Sequence, residues 1–153
     1  MKIRPATSPD ERAVQALVSD VLLQFGYPTR EREDLIDFVA YHPHGCFFVA
    51  EHEGTIVGCA GAERFGDDIK LRRMHVHKDF RRQGIGLQLL KAVFEWVDKN
   101  NIQAMYLSTD EHMTDAIAFY SSQEFIRISH LPNTIPGDSG DTVFFVKKRK
   151  RKK

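Results

Sequence analysis

Met74-His75-Val76-His77-Lys78-Asp79-Phe80-Arg81-Arg82-Gln83-Gly84-Ile85-Gly86-Leu87 is the stretch that decides the fold. A β-prone run ends near Val76, a basic turn with two glycines follows, and an apolar periodicity of helical spacing begins at once. At such a helix start the first N–H groups have no intrahelical acceptor, and the helix dipole adds roughly half a positive charge. Gly84 and Gly86 let the backbone approach an anion without a Cβ in the way, and Arg81 and Arg82 can add charge-assisted hydrogen bonds. The chemistry points to a phosphate-bearing ligand. A plain turn, with its arginines facing water, would produce the same residues. No Gly-Lys-Ser or Gly-Lys-Thr follows, which excludes a nucleotide P-loop, and a dinucleotide fingerprint would need a third glycine.

Working outward, Leu87, Leu90, Val93, Phe94 and Val97 recur every three or four residues and predict a helix from about Gly84 to Asn100. Upstream, a strand is expected over Asp68 to His77. Cys46 to Glu51 and Thr55 to Glu63 are β-rich runs joined at Glu53-Gly54, a hairpin turn. Lys2 to Ala6 reads as a first strand. Ser8 is expected to cap the next helix, with Pro9 first and Glu11 closing a capping box, and Val14, Leu17, Val18, Val21 and Leu22 forming its buried stripe to about Gln24. A second helix, capped by Thr29, would present Leu35, Ile36 and Val39. Downstream come a strand at Ile102 to Ser108, a short helix at Met113 to Ser122, a strand at Phe125 to Ser129, a loop over Leu131 to Asp141 and a last strand at Thr142 to Val146. This order gives an α/β fold, a mixed sheet with helices packed on it.

At 153 residues and 42% hydrophobic content the chain suits one compact domain, residues 1–146, followed by a basic tail, residues 147–153, into which the last strand can extend. The tail holds seven of the 22 Lys and Arg, which leaves 15 against 21 Asp and Glu in an acidic body. Such a body argues against nucleic acid as its partner, because phosphate contacts need clustered positive charge. The tail itself reads as a solvated end or as a nucleic-acid contact. No run approaches the roughly 18 apolar residues of a membrane span, and Met1-Lys2-Ile3-Arg4-Pro5 lacks a signal-peptide core. A soluble, cytoplasmic protein with no membrane partner is expected. Cys46 and Cys59 are isolated in apolar runs and read as core.

The segment around the two glycines resembles the acetyl-CoA motif of the GNAT family of N-acetyltransferases: Arg or Gln, two residues, Gly, one residue, then Gly or Ala. Arg81, Gly84 and Gly86 match. Ala116-Ile117-Ala118-Phe119-Tyr120 followed by Phe125 is similar to the family's second cofactor segment. The resemblance implies a splayed mixed sheet and acetyl-CoA as cosubstrate, with no metal. It implies cofactor contacts from Met74, His75 and Val76 along the pantetheine arm and from Arg81, Arg82, Gln83, Gly84, Ile85, Gly86 and Leu87 at the pyrophosphate. Thr114 and Phe119 belong to the second segment. Two departures stand out: Met113 where the family often has Asn, and Glu124 where it usually has Gly, the latter suggesting a differently shaped turn. A homodimer is frequent in the family.

Direct attack of an amine on the thioester requires a positioned amine, removal of its proton and protonation of the leaving thiolate. By resemblance Tyr120 is the acid; as one more aromatic on its helix it would simply pack. The base is Glu63, His75 or a water chain. Lys70 and Arg72 alternate onto one strand face with Met74, and by resemblance that face looks toward the acceptor, which favours an anionic small-molecule or peptide amine. Both could equally face solvent. His75 and His77 are two residues apart, a pair too small for a metal site and easily read as surface histidines. An acetyl-CoA-binding regulator without catalysis, or a nucleic-acid-associated protein working through the tail, would use the same residues differently.

Overall fold

A computed structural model describes residues 1–24, 45–137 and 140–149. The helix expected around Leu35, Ile36 and Val39, and the end of the basic tail, lie outside these residues. Among the described residues ten principal elements follow in chain order: β1 (Lys2–Pro5), α1 (Glu11–Gln24), β2 (Cys46–His52), β3 (Thr55–Phe65), β4 (Asp68–Val76), α2 (Ile85–Lys99), β5 (Ala104–Thr109), α3 (Thr114–Ser122), β6 (Ile126–Ile128) and β7 (Val143–Lys148). The strands form one mixed seven-stranded sheet in the order β1-β2-β3-β4-β5-β7-β6. Among the described residues, no helix is long and apolar enough to cross a membrane.

The chain divides into two compact units, Met1–Glu63 with Arg72–Trp96, and Arg64–Leu71 with Val97–Lys153. In the first, β1 and β2, and β2 and β3, pair antiparallel. Glu53 and Gly54 both take positive φ, 50° and 80°, the pair of left-handed residues that a two-residue hairpin turn demands. The stripe Val14, Leu17, Val18 and Val21 of α1 packs on Phe47, Val49 and Cys59. The cap of the first helical turn starts one residue earlier than expected. A short 3-10 turn over Ser8–Asp10 precedes α1, and the Asp10 carboxylate accepts from the backbone N–H of Thr7 at 2.8 Å and from its hydroxyl at 3.1 Å. Arg4 clamps that carboxylate at 2.8 and 3.0 Å, and Glu51 at 2.9 Å. The tie between β1, the start of α1 and β2 holds Asp10 well below the usual carboxylate range, at about 2, chiefly through the Arg4 hydrogen bonds.

In the second unit β5 pairs antiparallel with β7, and β7 with β6. The ladder of β4 with β5 is parallel over Asp68–Lys70 and Ala104–Tyr106. A parallel pair needs a crossover, which α2 supplies. β7 runs two residues into the basic stretch, to Lys148, and the Arg149 N–H still donates to the Gln103 carbonyl at 2.8 Å.

Candidate active site

In the first unit, β4 delivers the chain to the start of α2. His77 donates its N–H to the Val57 carbonyl at 2.8 Å, while its ring nitrogen accepts from Asp79 at 3.1 Å, so it caps the 3-10 turn Lys78–Phe80. Its ring also lies edge-on to Phe80 at 6.0 Å. His77 is therefore a half-buried structural residue rather than a surface histidine. Arg81 turns back, its Nε donating to the Val76 carbonyl at 3.1 Å, which fastens the loop to the strand it leaves. Arg82 and Gly84 have φ of 61° and 79°. At Gly84 an added Cβ would meet nothing within 4 Å, so the conformation, not crowding, selects glycine there.

The first α-helical bond of α2 runs from the Gln88 N–H to the Gly84 carbonyl at 3.0 Å. The amides of Ile85, Gly86 and Leu87 thus have no intrahelical acceptor, and Arg82, Gln83 and Gly84 before them are exposed. Close packing fixes where these amides point. Ile85, Leu89, Leu90, Val93 and Val97 are buried, and a Cβ at Gly58 would come within 3.1 Å of Leu89, 3.3 Å of Ile85 and 3.3 Å of the His75 carbonyl. Leu87 and Phe94, expected in the stripe, are only half-buried. Met74, His75 and Val76 are half-buried on β4.

Arg73 has φ of 56°. A left-handed residue inside a strand interrupts its two-residue alternation, so the face shared by Lys70, Arg72 and Met74 in the sequence pattern is not continuous. Within the first unit Arg72 meets Glu63, Nη1 to Oε1 at 3.5 Å, both partly buried. The structure brings together one candidate base and one candidate acceptor cation. Lys70, in the second unit, is 1% exposed and donates from Nζ to the Pro136 carbonyl at 2.7 Å, holding the loop before β7. It belongs to the fold's interior rather than to a cation pair awaiting an acceptor. Cys46 and Cys59 are both buried, which pushes their thiols up to about 12; neutral thiols there are packing groups, not nucleophiles.

The second unit carries Tyr120 near the end of α3. Thr114 opens that helix, exposed, after Met113, whose side chain makes no cap hydrogen bond. The Tyr120 ring is 8% exposed and lies 5.4 Å from the Phe119 ring, 5.6 Å from Phe125 and 6.4 Å from Phe145. Its hydroxyl makes no hydrogen bond among the described residues, and the ring is packed among these aromatic neighbours. Burial raises the phenol well above its ordinary range, so the group holds its proton at neutral pH.

The turn after α3 has the shape a glycine would give it, in contrast to the expectation drawn from Glu124. Phe125 donates its N–H to the Tyr120 carbonyl at 3.1 Å and Glu124 to Ser121 at 3.2 Å, with Glu124 left-handed at φ 67°. This is a Schellman cap, completed by the contact of the Phe125 and Tyr120 rings. Lys147, expected in the basic tail, lies on β7. Its Nζ donates to the Gln123 carbonyl at 2.8 Å, next to the Glu124 carboxylate at 3.9 Å and over the Phe125 ring at 5.9 Å. The usable signal was alternation, which puts Lys147 on the β7 face of Val143 and Phe145.

These features have close parallels. The chain is 37% identical over 110 residues to N-acetylaspartate synthetase of Danio rerio, an alignment covering 68% of this chain and 39% of that protein. It is 28% identical over 122 residues to the probable N-acetyltransferase camello of Xenopus tropicalis, covering 74% of this chain and 56% of that one. The match thus spans less than two-thirds of either relative. Among solved structures, an acetyltransferase of the GNAT family from Staphylococcus aureus Mu50 matches with a TM-score of 0.92 at 25% identity, over 97% of this chain and 99% of that one. The family model described as Acetyltransferase (GNAT) family matches residues 13–125, and the chain belongs to that family.

Proposed function

We propose that the protein transfers the acetyl group of acetyl-CoA to the primary amine of a small acidic molecule or peptide, with both substrates bound at once. The observation that carries this is the start of α2, where the amides of Ile85, Gly86 and Leu87 have no acceptor among the described residues and lie beside the exposed Arg82, as an anion site requires. Acetyl-CoA supplies an acyl group already activated as a thioester. The amides and Arg82 hold its pyrophosphate, and the Met74–Val76 segment lies along the pantetheine arm in the manner of an added strand. Tyr120 holds a proton on its hydroxyl for the thiolate that leaves when the amine nitrogen bonds to the acyl carbon.

The acidic acceptor is supported by the relative named N-acetylaspartate synthetase and by the Arg72–Glu63 pair. A substrate carboxylate that takes the place of Glu63 beside Arg72 leaves Glu63 ready to accept the amine proton. Thermal unfolding with ligands tests the cofactor. At 100-fold excess over Kd, acetyl-CoA or CoA stabilises by about 2.7 kcal/mol and raises Tm by roughly 5–10 °C, whereas NAD leaves it unchanged. A panel of L-aspartate, L-glutamate, their amides and polyamines tests the acceptor. Stabilisation by NAD instead of CoA defeats the cofactor reading, and preference for amides or polyamines defeats the acidic one.

A further inference from the structure

We propose that Lys147 is a positioning residue for Tyr120, acting through the cap that ends α3; the proposal rests on reading Tyr120 as the acid. Tyr120 occupies the third position from the C-terminal cap of α3, and its carbonyl accepts from both Gln123 and Phe125, each at 3.1 Å. The orientation of the Tyr120 ring is therefore set by whether this cap stays closed. A Schellman cap ordinarily has glycine at the left-handed position, where a Cβ is sterically unwelcome. Glu124 fills that position at φ 67°.

Lys147 offsets the difference from the neighbouring strand. Its ammonium donates to the Gln123 carbonyl at 2.8 Å, one of the last helix carbonyls, which have no intrahelical donor, and it places positive charge at the negative end of the dipole. The Glu124 carboxylate at 3.9 Å is exposed and adds little. The ammonium stands over the Phe125 ring, 5.9 Å from its centroid, and that ring is edge-on to Tyr120. Two paths, carbonyl and ring, thus run from Lys147 to Tyr120.

The test uses the full chain with acetyl-CoA and L-aspartate, and also with water alone as acceptor, because both reactions expel the same thiolate. Lys147→Met keeps the stem and removes the donor. Amide exchange at Glu124 and Phe125 should rise, and kcat should fall about tenfold with KM for acetyl-CoA unchanged, as misplacement of a reacting group predicts. Adding Lys147→Met to Tyr120→Phe should lower kcat no further. Glu124→Gly, which caps without strain, should restore most of the rate to Lys147→Met, and this double variant also serves if the single one folds poorly. Unchanged exchange at the cap, or the same tenfold loss in the Tyr120→Phe background, overturns the proposal while leaving the acid reading intact. Full turnover by Tyr120→Phe removes the acid reading and the catalytic purpose of the clamp together.

Discussion

The start of α2 and the end of α3 are helix termini facing the same problem of unpaired backbone groups, and the chain treats them oppositely. At α3 the carbonyls of Tyr120 and Ser121 accept from the cap amides, and Lys147 covers the Gln123 carbonyl. At α2 the amides of Ile85, Gly86 and Leu87 find no helical acceptor, and the residues before them are exposed. Burying apolar area explains neither choice. A closed end fixes a side chain, here Tyr120; an open end keeps its donors for something outside the chain. The start of α1 is the informative control, since there the protein supplies its own anion, the Asp10 carboxylate on Thr7.

Breaking the open end should have the largest effect. Gly86→Glu sets a carboxylate among the unpaired amides, where an acidic residue stabilises the helix terminus by about 0.3–1 kcal/mol. The variant should fold at least as well as the parent. Its carboxylate competes with the pyrophosphate and repels it, so calorimetry should show Kd for CoA raised about 100-fold, some 2.7 kcal/mol. Unchanged affinity would place the anion site elsewhere.

The end filled by its own anion comes next. Asp10→Asn leaves Arg4 and the Thr7 amide without their carboxylate, and urea unfolding at pH 7 should show a loss on the order of 1–2 kcal/mol, the lowered pKa discounted for partial exposure. The sign follows from the direction of the shift. Folding lowers the Asp10 pKa from 3.8 to about 2, so its contribution is full above about pH 4 and fades as pH falls through 2. The gap between parent and variant should narrow over that window. A gap independent of pH would mean that shape, not charge, holds the turn.

The open end was legible because its signal is local: a strand, a basic turn, two glycines and a helical period in one run of 14 residues. The hairpin at Glu53-Gly54 and the stripe of α1 were legible for the same reason. What escaped depended on partners far along the chain. Lys70 looks like a surface cation until Pro136, 66 residues on, accepts from it. Arg72 looks available until Glu63 is set beside it. The left-handed backbone at Arg73 has no marker, since arginine rarely adopts that conformation and nothing nearby announces it. Glu124 misled for a related reason: a residue disfavoured by its backbone was read as a change of shape, whereas hydrogen bonds from both directions keep the shape and carry the strain.

That strain gives the smallest prediction. A left-handed α conformation disfavours an L residue by about 1–2 kcal/mol, and glycine escapes it while losing roughly 0.5–1 kcal/mol more chain entropy on folding. Glu124→Gly also surrenders the 3.9 Å pairing with Lys147, in which the Glu124 carboxylate is 71% exposed, a contact of the class worth between nothing and a few tenths. The net should be a gain of about 0.5–1 kcal/mol, or roughly 2–3 °C in Tm, with kcat unchanged because the cap keeps its shape. Glu124→Ala separates the causes, since it drops the carboxylate and keeps the Cβ. It should gain nothing. Equal gains in both variants would assign the effect to charge near Lys147, and the closed end of α3 would then owe its stability to electrostatics rather than to the backbone of Glu124.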